Sequence, residues 1–135
     1  NSEAEWKSII IWKKNRPALS PLDYHNNFEP ILYGYKHHVF YGDKTQSDVW
    51  EFPRPYINDL HPTMKPVELI QKAIVNSSKG EDIVLDLFLG SGSTLIAAEK
   101  TGRICYGMEI DPKYTDVILK RWEDYTEKEA VLAPN

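Results

Sequence analysis

Residues 82–111 run Asp-Ile-Val-Leu-Asp-Leu-Phe-Leu-Gly-Ser-Gly-Ser-Thr-Leu-Ile-Ala-Ala-Glu-Lys-Thr-Gly-Arg-Ile-Cys-Tyr-Gly-Met-Glu-Ile-Asp. An apolar run of strand length leads into two closely spaced glycines. A helical pattern follows, and a second apolar run ends in a carboxylate. Few folds accommodate that order. A strand, glycine turn, helix and strand form the repeating unit of a parallel α/β sheet, and such sheets bind ligands beyond the carboxyl ends of their strands. Glycines there let the backbone approach a ligand, and an acid closing the second strand is placed to hold ribose hydroxyls. The segment therefore predicts a pocket for a nucleoside-containing cofactor.

The rest of the chain supplies further elements. Lys7–Trp12 is uniformly apolar at its centre, which predicts a strand buried on both faces. Pro17, Pro21, Asn26 and Asn27 mark a loop over 17–27. Glu29–Lys36 is a predicted strand, His37–Tyr41 a return strand or loop, Gly42–Gln46 a turn, and Val49–Phe52 a short extended piece. Pro66 suits the first turn of a helix whose apolar face is Val67, Leu69, Ile70, Ala73 and Ile74, closed by Lys79-Gly80. Ile83–Phe88 is expected as a buried strand. Ser93 or Thr94 is the expected cap of a helix reaching Thr101-Gly102. Arg103–Met108 is another strand. Asp111-Pro112 opens a last helix to about Glu129, with Val117, Ile118, Trp122 and Tyr125 on its apolar side. The fold class is α/β.

The glycine turn discriminates among cofactors. A dinucleotide turn carries a third glycine for close helix packing, and Leu95 stands there instead. A phosphate-binding P-loop needs a following Gly-Lys-Ser/Thr, which is missing. Asp86 at the strand end is placed to receive the ammonium of an amino-acid moiety, the turn to lie beneath sugar and amino acid, and Glu109 to grip a ribose diol. S-adenosylmethionine has these groups and no phosphate. Taken singly, Asp86 is also an ordinary turn residue, the glycines a tight-turn requirement, and Glu109 a solvated acid. Their order on successive elements favours the cofactor.

Bulk properties exclude other classes. At 135 residues the default is one domain. The net charge of −4 announces no nucleic-acid binder, and the halves 1–60 and 61–135 carry −1 and −3, so any DNA surface is a local patch. One cysteine, Cys105, permits neither a disulfide framework nor a zinc set and reads as a small buried apolar residue. No apolar run has membrane length and no signal peptide is visible, so a cytoplasmic location is expected. The start at Asn1, close to the Ile9-Ile10-Ile11 run, suggests a fragment cut near a core strand.

His61-Pro62-Thr63-Met64-Lys65-Pro66, then a helix, then Asp86-x-Phe88-x-Gly90-Ser91-Gly92-Ser93-Thr94, resembles the permuted, beta-class amino-methyltransferases of DNA, which methylate the exocyclic amine of adenine or cytosine. The likeness runs from about Lys7 to Glu129. It includes Ile10-Ile11-Trp12-x-Lys14 and Phe28-Glu29-Pro30-Ile31-Leu32-Tyr33, and more weakly Tyr114 and Arg121. The resemblance implies a Rossmann-like S-adenosylmethionine-dependent methyltransferase fold. It implies that Thr63 and Lys65 help hold the methionine end of the cofactor. Asp86, Phe88, Gly90, Ser91, Gly92 and Thr94 would form the pocket floor, Glu109 would bind the ribose and Ile110 would pack on adenine. Leu87 stands where the family commonly has proline.

The family's catalytic Asp/Asn/Ser-Pro-Pro-aromatic tetrapeptide does not occur in the chain. The fold is therefore expected to be incomplete, with the central catalytic strand missing: a single domain fragment, strand-rich over 1–60 and cofactor-binding over 61–135. No catalytic residue is assigned. Double-stranded DNA is the expected partner of the intact protein, with adenine favoured over cytosine. Gly42–Leu60 is too short for a full recognition domain, so either recognition lies upstream or the enzyme reads only a short site. Some aromatic residues of 24–56 could line a base pocket. Lys13, Lys14, Arg16, Lys36, His37 and His38 are candidate phosphate contacts. A non-catalytic cofactor-binding or partner-subunit module is the alternative, and a dinucleotide oxidoreductase a distant third.

Overall fold

A computed structural model describes residues 5–17, 21, 23–55 and 64–134. Its elements are β1 (Glu5–Lys13), β2 (Phe28–Tyr35), β3 (Val49–Glu51), α1 (Val67–Ser77), β4 (Ile83–Asp86), α2 (Ser93–Lys100), β5 (Ile104–Gly107) and α3 (Pro112–Thr126). His37–Tyr41 forms no strand.

Among the described residues, five strands divide into two sheets. The first has the order β2-β1-β3, with β1 antiparallel to β2 and parallel to β3. The second is the parallel pair β4-β5, in register from Ile83↔Ile104 to Asp86↔Gly107. Among the described residues β4 pairs on one side only.

Helix α1 joins the two. Leu69 and Ala73 pack with Trp12, Trp50, Ile10 and Ile31 of the first sheet. Ile74, Val67 and Ile70 pack with Ala97 and Ala98 of α2 and with Val84 and Cys105 of the second sheet. The apolar spacing of α1 thus serves two cores, because its stripe is wide enough to face both.

Two strand expectations need correction. Neither β1 nor β4 is buried on both faces. Ile9 is half exposed, while Ile83 and Leu85 are 66% and 63% exposed. Alternation explains this: Val84 points at the helices, and its neighbours point to the side that no described helix covers. Cys105, expected to be buried, is only half-buried, packed under α1 and α2.

The helix starts also differ from the sequence reading. Gly92, in a left-handed conformation, is the N-cap of α2, and no side chain caps it. Ser93 and Thr94 bond elsewhere. Asp111 does cap α3, accepting from the Lys113 amide at 3.0 Å with Pro112 in the first turn. That helix ends at Thr126, where Glu127 adopts φ 57°. No described helix is long and apolar enough to cross a membrane.

Candidate cofactor cleft

The end of β4 and the start of α2 enclose a cleft of about 300 Å³. Asp86 is fixed within it through both carboxylate oxygens. Oδ1 accepts the Phe88 amide at 2.9 Å, and Oδ2 accepts the Thr94 hydroxyl at 2.6 Å. A strand-end carboxylate held by the turn below and the helix above is pre-oriented, which removes part of the ordering cost of binding a cation.

The acid closing β5 turns back to the glycine turn, behind the residues that line the cleft wall. Glu109 Oε2 accepts the Gly90 amide at 2.7 Å, and Oε1 accepts the Asp111 amide at 3.0 Å. The amides of Asp111, and then of Gly90 and Ile110, hold its carboxyl below the ordinary value, outweighing burial and the nearby Asp111 charge. It stays ionised, with lone pairs left for further donors.

The two glycines do different work. Gly90 lines the cleft at φ 56°, and a Cβ there would meet nothing nearer than the Phe88 carbonyl oxygen at 3.9 Å. It leaves room for a ligand. Gly92, at φ 80°, is buried behind the turn, where a Cβ would meet the γ carbons of Ile118 at 3.2 and 3.3 Å. It lets α3 pack close, which is the service expected of a third glycine. It is not among the residues that line the cleft.

The other expected residues divide. Lys65, Phe88, Ser91 and Thr94 line the cleft with Asp86 and Gly90. Phe88 is 90% exposed and Ile110 98%, and Ile110 is not in the cleft wall. Thr63 lies outside the described residues. The Lys65 ammonium is bonded to Glu29 and lies 5.3 Å from the Trp12 ring centre.

Sequence reasoning missed several participants. Met64, Ile70 and Leu89 complete the apolar wall. Ser93 donates to the Lys65 carbonyl at 3.0 Å, joining the segment before α1 to the start of α2. Arg121 of α3 donates to the Ser91 carbonyl in the turn, which gives a reason for the weak pattern noted around it. Glu29 on β2 accepts from both Lys14, at 2.7 Å, and Lys65. Only the register of a distant strand brings it there, and no local pattern signals that. None of the other named cations is among the residues that line this cleft; Lys14 is 7% exposed and ion-paired, and Lys13 pairs with Glu51 at 2.8 Å.

The fold is shared with known proteins. The model of a DNA methylase family, the N6 and N4 methyltransferases, matches residues 1–120. The chain belongs to that family. The type II methyltransferase M2.MboI of Moraxella bovis is 31% identical over 137 residues, covering 88% of this chain and 50% of the relative. The DNA adenine methyltransferase YhdJ of Escherichia coli is 36% identical over 118 residues, covering 84% and 37%. The chain thus spans about half the length, or less, of these methylase relatives. A crystal structure of M1.HpyAVI with SAM superimposes with a TM-score of 0.71 at 32% identity, covering 87% of this chain and 62% of that one. The cytosine-N4-specific PvuII DNA methyltransferase gives 0.74 at 18% identity, covering 84% and 50%, and shares the fold. The expected Rossmann-like methyltransferase class holds for this DNA methylase chain: a mixed α/β fold of partial size, with its sheet in two pieces.

Proposed function

We propose that the chain carries the S-adenosylmethionine site of a DNA methyltransferase acting on the exocyclic amine of adenine in double-stranded DNA. The observation that carries this is the pair of anchored carboxylates. Asp86 holds the two ends of one glycine turn at Phe88 and Thr94, and Glu109 holds it at Gly90.

The donor set suits that ligand. Asp86 offers a fixed anion to an ammonium. Glu109 offers acceptor sites to vicinal hydroxyls, and Gly90 leaves an open backbone approach. Phosphate would find little support, because the cleft's lysine is engaged by Glu29. We assign the cofactor contacts to Lys65, Asp86, Phe88, Gly90, Ser91, Thr94 and Glu109, with Thr63 and Ile110 assigned from the family resemblance alone, and Gly92 to packing. When bound, the cofactor supplies an electrophilic methyl group. In the intact protein these residues would hold it with the methyl presented to the target amine, so that the new nitrogen–carbon bond would form in line as the sulfonium carbon–sulfur bond breaks, and correct placement is the main source of acceleration in such a displacement. A target base leaves the duplex to reach it, at a cost of roughly a few kcal/mol.

Adenine is favoured over cytosine by the named specificity of the 36% identical relative. The chain has no Pro-Pro-aromatic tetrapeptide, so we propose that these 135 residues, acting as one cofactor-binding unit, transfer no methyl group alone. The same observation keeps a second reading, a non-catalytic cofactor-binding module or partner subunit. Calorimetry tests the site: S-adenosylmethionine or its demethylated product should bind and NAD should not. Binding of NAD, or of neither, overturns the proposal. A radiolabelled methyl assay on duplex DNA that showed turnover by this chain would refute its inactivity.

A further inference from the structure

We propose that Glu29 keeps the cofactor cleft open by withholding Lys65 from Asp86. The inference rests on the cofactor reading above and extends it to a residue on another sheet.

Among the described residues that line the cleft, Lys65 is the one cation and Asp86 the one anion. They are tethered side by side. The Lys65 carbonyl accepts from Ser93, and the next residue, Thr94, holds Asp86. A lysine side chain is long and flexible, with a strong preference for a carboxylate partner in a partly shielded site. An ion pair between Lys65 and Asp86 would fill the place where an incoming ammonium must sit. The site would then inhibit itself.

The structure shows a different partner. The Lys65 ammonium is drawn to Glu29 on β2 and lies over the Trp12 ring. Glu29 is itself well secured. Lys14, buried at 7% exposure, donates to its other oxygen at 2.7 Å and lies 5.2 Å from the centre of the Trp12 ring. Burial opposes ionisation of Glu29, yet hydrogen bonds from Lys14 and Lys65 outweigh it and hold the carboxyl below its ordinary value. The buried Lys14 therefore fixes the anion, the anion captures Lys65, and Asp86 is left with only neutral donors. Glu29 acts through Lys65 and touches no ligand; it is a positioning residue.

The test is a binding cycle on the whole chain with two probes. S-adenosylhomocysteine carries the amino-acid end, and 5′-methylthioadenosine lacks it. Glu29→Gln should weaken S-adenosylhomocysteine about fivefold or more, the scale of one polar interaction, and leave 5′-methylthioadenosine unchanged. In a Lys65→Met background, Glu29→Gln should have no effect on either probe. Since Glu29→Gln leaves Lys14 without its partner, Lys14→Met/Glu29→Gln is titrated too and should show the same selective loss. Equal weakening of both probes would mean that Glu29 only supports the fold, and the inference falls. It also falls if Glu29→Gln binds like the wild type, or if its effect persists without Lys65. Failure of the wild type to bind either probe would overturn the cofactor reading itself.

Discussion

The two glycines of the turn have equal conformational need and unequal space, which makes their alanine variants a sharp test. Both have positive φ, 56° at Gly90 and 80° at Gly92, so alanine costs roughly 1–2 kcal/mol at each from the left-handed conformation. At Gly90 the nearest atom to the new methyl is 3.9 Å away, an ordinary contact, and the cost ends there. At Gly92 the methyl would press on both γ carbons of the buried Ile118, at 3.2 and 3.3 Å. Overpacking of that kind adds about 1–3 kcal/mol. Gly92→Ala should therefore be less stable than Gly90→Ala by about 1–3 kcal/mol, a gap of several degrees in Tm for a chain of this size. Thermal and urea unfolding followed by circular dichroism read the difference. In an Ile118→Ala background the gap should close, because the colliding atoms are gone. Equal stabilities for the two variants in the wild-type background would refute the division of labour. Cofactor titration should invert the ranking, with Gly90→Ala the weaker binder after correction for folded fraction.

Four further outcomes follow from the geometry. Thr94→Val should weaken S-adenosylhomocysteine about tenfold, within the range for freeing one charged hydrogen-bond acceptor, and Thr94→Ser should retain binding; calorimetry reads both. Glu29, with its carboxyl held below the ordinary 4.5, contributes stability that is complete above that value and is lost as pH falls through the lowered one, so urea midpoints of Glu29→Gln should fall less than those of the wild type on acidification. Burial, and then the charge on Asp86, raise the Cys105 thiol above its ordinary value, so maleimide should label it much more slowly in the native than in the urea-unfolded chain at pH 7. Leu85→Thr should change stability by only about 0.5 kcal/mol, and Val84→Thr by about 1 kcal/mol or more, because their side chains point to opposite faces of β4.

What the sequence revealed was whatever local chemistry encodes. The turn from Asp86 to Thr94, the return of Glu109 to it, the Asp111 cap and the apolar face of α1 all lie in short windows where spacing determines contact. Glu109, expected at the crevice from its place at a strand end, bonds the Gly90 amide of the turn but is not among the residues of the cleft wall. At Gly92 conformational need and packing need look alike in a sequence: each calls for glycine. Only the position of Ile118, twenty-six residues later, separates them.

The remaining gaps are long-range. Glu29 reaches Lys65 because β2 pairs antiparallel with β1, setting Glu29 opposite Trp12, and a register is not written in either strand alone. Burial was over-read for the same reason. A continuous apolar run such as Ile83-Val84-Leu85 states that both faces of a strand prefer to be covered; it does not state what covers them. Here α1 and α2 take the face that holds Val84 and Cys105, while Ile83, Leu85, Ile104 and Tyr106 stay more than half exposed. The composition of these strands and their coverage disagree on that face, and among the described residues β4 also pairs along one edge only. The cofactor cleft escapes that shortfall because its walls come from the ends of the strands and the covered face, which the chain's own helices complete.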